Sequence, residues 1–241
     1  MAQTDRQTIA ARGATTATVD AGLRSYMLQV YNYMTLGLGV TGVVAFFFNR
    51  WVMSSPQLIE TFYVGPLFWV IALAPLALVL VLSFGVSRLS LGAAQAAFWA
   101  FAVAMGLSLS SIFAAYTGES IARVFFITAG TFGAMSLWGY TTKRDLTSMG
   151  SFLFMGLIGL IIASVVNIFL ASSALAFGIS IVGVLVFVGL TAYDTQKIKE
   201  MYFEGDDAAT MGKKTIMGAL SLYLDFINLF LMLLRLFGNR E

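Results

Sequence analysis

Two aspartates sit where a carboxylate is expensive. Asp194 falls in GLTAYDTQKIKEMY, at the end of a long apolar run and about one turn before Lys197 and Lys199, while Asp225 falls in SLYLDFINLF, inside another apolar run. An ionised Asp deep in a membrane span costs about 2.5–3.5 kcal/mol on insertion scales, and the escapes are a partner, a water-filled cavity or protonation. If the two meet, they form a carboxylate dyad. Two buried like charges do not both ionise cheaply, so one holds a shared proton and the pair responds to pH without histidine. An ionised pair equally suits a hard cation, which takes carboxylate and carbonyl oxygens. The residues leave another reading standing, in which Asp194 caps or pairs with Lys197 or Lys199 at the interface. Asp225 is then a structural hydrogen-bonding residue beside Asn228 or Ser221.

The helix that carries Asp225 shows its own pattern. Lys214, Gly218, Ser221, Asp225, Asn228, Met232 and Arg235 recur at alternating steps of four and three, which is one face of a helix. Every other side is apolar, so the polar stripe must face protein or water, and the helix belongs near the middle of a bundle. Ser221, Asn228 and Met232 are the pore-lining candidates beside Asp225. From an expected helix start at 215, Asp225 lies about 15 Å along the axis at about 1.5 Å per residue.

The elements that position these residues follow from composition. Of 241 residues, 59% are hydrophobic and 11% charged, against roughly 25% charged in an average soluble domain. Apolar runs of about 20 residues predict an all-α membrane protein with spans at 26–48, 66–86, 91–116, 121–141, 150–171, 174–195 and 215–237. The fifth and sixth are joined only by ASSA, a tight hairpin. Pro75 lies inside the second span and should kink it. Residues 1–25 are Ala/Thr-rich and polar, without the apolar core of a signal peptide, and are expected to be a mobile, disordered cytoplasmic tail preceding a transmembrane domain over 26–241.

Positive charge sets orientation. With the N-terminus inside, ten cations (Arg6, Arg12, Arg24, Arg88, Lys143, Arg144, Lys197, Lys199, Lys213, Lys214) are cytoplasmic and four (Arg50, Arg123, Arg235, Arg240) lie outside. The loops SRLSLG (87–92) and KRDLTSMG (143–150) are faintly alike, as a duplicated hairpin or two loops with similar caps would be. Glu119 and Arg123 read as an outside helix start with a charge pair. Gly37, Gly39, Gly42, Gly156, Gly159 and Gly183 read as helix-packing positions, and Asn32, Gln95 and Asn167 as groups bonding across helices.

Absences narrow the chemistry. The chain has no Cys and no His, which removes disulfides, thiol nucleophiles, His-ligated zinc and any Ser-His-Asp triad, a rhomboid-like protease included. No Ser-Lys pair or metal-ligand cluster stands at a convincing spacing, so an enzyme is not expected, nor is a tightly bound cofactor. A net charge of +2 without a basic patch gives no reason to expect nucleic acid. A retinal photoreceptor would need a lysine in the core of the last span, where there is none.

The segments GLTAYDTQKIK and YLDFINLFLMLLRLFG, with the order of short hairpins between spans, closely resemble the transmembrane Bax inhibitor motif family, including its bacterial members, from about residue 24 to the end. The resemblance implies seven helices with the last central and wrapped by the other six, in the bacterial inner (plasma) membrane. It also implies a pH-sensitive calcium leak channel, with calcium as the transported ion. The sensor and gate would be the aspartate pair at positions 194 and 225, which would also contact calcium, and Arg88 matches a latch arginine by position. Some bacterial members are linked to a membrane-bound quality-control protease, so the alternative is a membrane scaffold that binds and modulates such a protease through its N-terminal tail.

Overall fold

The structure is a computed structural model that describes the backbone of residues 2–239 and the side chains of residues 20–239. Seven long helices carry the fold: α1 (Ala2–Val52), α2 (Pro66–Gly85), α3 (Leu91–Leu109), α4 (Gly118–Thr141), α5 (Thr147–Leu170), α6 (Ser173–Glu200) and α7 (Ala208–Phe237). Each is long and apolar enough to cross a membrane, the first over Asp20–Val52 and the third continued through the short helix Ile112–Ala115. The chain is therefore an all-helical, multi-pass membrane protein.

Helix starts are set by side chains that accept from orphan amides. Ser90, Thr117, Ser172 and Asp207 accept from the amides of Ala93, Ser120, Leu175 and Thr210, each satisfying one donor that the helix leaves open. Before α2 the chain makes a short helix over Pro56–Ile59 and a π-helical turn over Glu60–Val64, then Gly65 extends ahead of Pro66. That extension is what proline imposes on the residue before it. Pro75 lies inside α2, and the helix continues through it.

The expected spans are all present, with altered ends. The first starts well before 26, so residues 2–25 of the expected tail are helical, and Tyr26 and Met27 are already buried. The side chains of the tail residues before 20 lie outside the described ones. Helix α6 runs to Glu200 instead of stopping near 195, which puts Asp194 inside the helix and not at its end. Helix α7 starts at Ala208, seven residues before the expected 215, because Asp207 supplies a cap that hydropathy does not register. The two hairpin loops are capped differently, by Ser90 in one, whereas Leu146 offers no side-chain cap in the other.

Asp207 carries a pH prediction. Hydrogen bonds from Thr210 hold its exposed carboxyl below the ordinary value of 3.8. The stability it adds is complete above that ordinary value and is lost as pH falls through the lower folded value. Asp207→Ala should thus lower the melting temperature at pH 7, and a melting series taken into strong acid should find the difference closing.

The α5–α6 link contracts to Ala171 and Ser172. Ala171 is left-handed at φ 47°, ψ 32°, a region that strains a residue with a Cβ by about 1–2 kcal/mol. Ala171→Gly should raise stability by about 1 kcal/mol, read as a higher melting temperature in the same detergent.

In the bundle, α7 is the most buried helix, 67% of its span window against 11% for α2 and α5. It packs directly against α1, α3, α4 and α6, while α2 leans on α3 and α5 on α6. The closest packing on the last helix thus comes from these four neighbours. The apolar outer faces of α2 and α5, with Trp69, Phe84, Phe152 and Phe169 exposed, are covered by lipid.

Candidate functional site

The α6–α7 hairpin sets the register of the site. At its closed end Lys214 Nζ donates to the Met201 carbonyl at 2.9 Å and pairs with Asp206. Further along, Gly218 faces Ile198 and Gly183 faces Met232. Between these contacts, antiparallel packing brings Asp225 opposite the turn that carries Asp194, and the two side chains face one cavity and act on each other electrostatically. Asp225 is buried, at 5% exposure, and its Oδ2 has no conventional donor. Two carboxylates can hydrogen-bond each other only when one is protonated.

Of the two readings left open, the structure brings the aspartates together and keeps part of the other. Lys197, one turn along α6, also acts electrostatically on Asp194. Its ammonium lies 5.9 Å from the centre of the Tyr193 ring. Lys199 is used elsewhere, donating to the Tyr140 carbonyl at 2.9 Å.

Both aspartates and Lys197 line a cavity of about 880 Å³ between α5, α6 and α7, together with Ser221, Asn228 and Met232. The middle of the polar stripe of α7, Ser221 to Met232, therefore faces this cavity, and most of the remaining mid-helix surface is buried in protein. Asn228 donates its amide to Leu224 O at 2.8 Å, which leaves its carbonyl oxygen, with the Ser221 hydroxyl, as neutral acceptors near the carboxylates. Among the described residues no three acidic groups converge. A hard cation at this place would thus meet two carboxylates and neutral oxygens, a weak set suited to passage more than retention. A second cavity of about 670 Å³ shares Ser164 and Ile168 with the first and contains Arg235. Asp225 and Arg235 are separated by about 15 Å along α7, so the two cavities follow one face of that helix.

Groups that the sequence reading passed over hold Asp194 in place. Thr195 bonds Ser136 at 2.9 Å, and Ser136 bonds Tyr31 at 2.5 Å, tying α6 to α4 and α1. Gln196 accepts from Leu146 N and donates to Arg144 O, both at 2.8 Å. Gly139 lets α4 touch the backbone of α6 at Ala192. The spacing of Ser120, Val124, Thr128, Phe132 and Ser136, four residues apart on the buried face of α4, is the signal that could have found Ser136.

Other expected roles fall differently. Arg88 is exposed in the loop after α2, does not line the cavity and makes no ion pair with either aspartate among the described residues. Its loop instead receives Lys213, whose ammonium lies 3.5 Å from Ser87 O. Glu119 and Arg123 make no ion pair either. Gln95 does bond across helices, to Tyr33 at 2.9 Å, whereas Asn167 accepts from Ser172 N within its own hairpin. Gly37 and Gly183 sit in close contact with neighbouring side chains, whereas Gly39, Gly42 and Gly159 face open space.

The family model for the inhibitor of apoptosis-promoting Bax1 matches residues 23–241. The chain belongs to the Bax inhibitor-1 family. The family match takes in both aspartates and nearly all of the seven spans. Bacterial relatives are among its matches: inner membrane protein YbhL of Escherichia coli K12 is 52% identical over 224 residues, covering 92% of this chain and 94% of the relative. An uncharacterised protein of Rickettsia prowazekii is also 52% identical, covering 93% of each. An uncharacterised membrane protein of Streptococcus pyogenes is 36% identical, covering 92% of this chain and 96% of its own.

Proposed function

We propose that this family member is a pH-sensitive calcium leak channel of the bacterial inner membrane, with its N-terminus cytoplasmic and the Asp194–Asp225 pair as its gate. The observation that carries the reading is a carboxyl pair, Asp225 buried and Asp194 half-buried, that lines a cavity along the last helix. The relative named as an inner membrane protein supports the location, and the ten-to-four division of cations supports the orientation.

With one proton shared, the pair is compact and carries a single negative charge, which Lys197 balances. When that proton leaves, two adjacent charges repel, and the arrangement that separates them or admits a cation between them gains population. Calcium would enter as cargo, meeting the carboxylates, Ser221 and Asn228 in turn. No catalytic step and no resident cofactor is part of this reading. Arg88 would have to move to reach the pair, so Lys197 is the cation of the closed state.

The test is calcium entry into liposomes holding the purified protein and a calcium indicator, from pH 5 to pH 8. Entry that rises with pH above protein-free vesicles is expected. No entry at any pH, together with a membrane protease that copurifies, would favour the scaffold instead.

A further inference from the structure

A different opening lies on the far side of the bundle, between α1 and α4. These two helices are not among the closely packed pairs, and the space between them is a slot of about 480 Å³. Its walls are Met27, Leu28, Met34, Phe132 and Leu137, and among the described residues its one charged lining residue is Arg24. Gly133 faces open space in this slot. Arg24 and Met34 are about 15 Å apart along α1, close to half of a hydrocarbon core of about 30 Å.

The mouth is rich in cations. Tyr140, also in the lining, has Lys199 bonded to its carbonyl, and Lys143 and Arg144 lie three and four residues further along the chain. Among the described residues no carboxylate lines the slot. Asp20, one turn before Arg24, makes no ion pair with it; among the described residues the only ion pair is Lys214–Asp206.

We infer that this slot is a binding site for an anionic phospholipid of the leaflet on that side, with its phosphate at Arg24 and one acyl chain between α1 and α4. An apolar slot one leaflet deep matches a chain, and a cationic mouth without an ion pair among the described residues matches a headgroup that keeps a net negative charge. A second protein helix would leave that charge unanswered unless it brought its own acids. The slot also reaches the site already described, because Tyr31 in its lining bonds Ser136 and Ser136 bonds Thr195. A lipid held here would brace the turn of α6 that carries Asp194. The inference does not depend on calcium transport.

The experiment reconstitutes the wild type, Arg24→Gln and Gly133→Phe in nanodiscs of phosphatidylcholine with phosphatidylglycerol. Retained lipid is then counted by native mass spectrometry, and melting is followed with and without phosphatidylglycerol. The wild type should retain phosphatidylglycerol in preference to phosphatidylcholine and melt higher with it. Arg24→Gln should lower that preference about five-fold, as expected for one cation near a membrane surface. Gly133→Phe should fold, having open space for the ring, yet lose both the retained lipid and the melting shift. Equal retention of the two lipids by the wild type would overturn the inference, as would full retention by a folded Gly133→Phe or a copurifying helix in the slot. If Gly133→Phe does not fold, an unchanged preference in the exposed-site variant Arg24→Gln overturns it alone.

Discussion

Asp225→Asn will flatten the pH dependence of calcium flux while leaving the protein folded. Asparagine keeps the size of the side chain and brings its own N–H donors, so Asp194 still finds a partner where the proposed gate places a shared proton. What disappears is the second charge. Two unit charges about 4 Å apart repel by about 4 kcal/mol at an effective dielectric of about 20. That is enough to move a two-state equilibrium by as much as about a thousand-fold, at 1.36 kcal/mol for each factor of ten. Part of this is absorbed by relaxation and by Lys197, so the wild type should change its flux by about ten-fold or more between pH 5 and pH 8, and the variant by less than about two-fold. Asp194→Asn should behave alike, since either substitution breaks the same pair. Stopped-flow calcium entry over the pH series reads both, and a variant with the wild-type slope would move the sensor elsewhere.

Gly139→Ala should be the most damaging single methyl in the bundle. A Cβ at Gly139 would lie 2.8 Å from the Ala192 Cα and 2.9 Å from its carbonyl carbon. Those are backbone atoms of α6, which cannot turn aside as a side-chain tip does. Relief requires α4 and α6 to separate, and overpacking of this kind costs about 1–3 kcal/mol, occasionally more. The separation falls beside Ser136–Thr195, so it should also disturb Asp194. Gly130, on the same helix, faces open space, and alanine there should stabilise by up to about 1 kcal/mol through helix propensity. Melting temperatures of the two variants in one detergent should move in opposite directions, and a loss at both positions would point to helix α4 itself and not to its contact with α6.

The seven spans and the face of α7 were legible because hydropathy and the 3.6-residue period are local properties of the chain. Asp225 could be placed on an inward stripe from Lys214, Ser221 and Asn228 alone. Its meeting with Asp194 depends on the register of a hairpin, which is set by Lys214 on Met201 O and by the small Gly218 and Gly183. Register is non-local, and the early start of α7 at the Asp207 cap shifted the depth estimated from helix length. The hydroxyl chain through Thr195, Ser136 and Tyr31 was hidden for a related reason. Each member is an unremarkable residue of its own helix, and only packing of α1, α4 and α6 makes them a chain. Arg88 shows the reverse case, a position matched by motif order whose side chain stays outside the cavity.

The aspartate cavity has a wall unlike its other two. Helices α6 and α7 are embedded among neighbours, but α5 is attached to the bundle through α6 and turns most of its surface to lipid. A helix clasped by protein on one side and by acyl chains on the other takes its tilt from both. Bilayer thickness and lateral pressure then become mechanical inputs to the space around Asp194 and Asp225. The same polypeptide at the same pH should hold that space at different widths in thin and thick membranes.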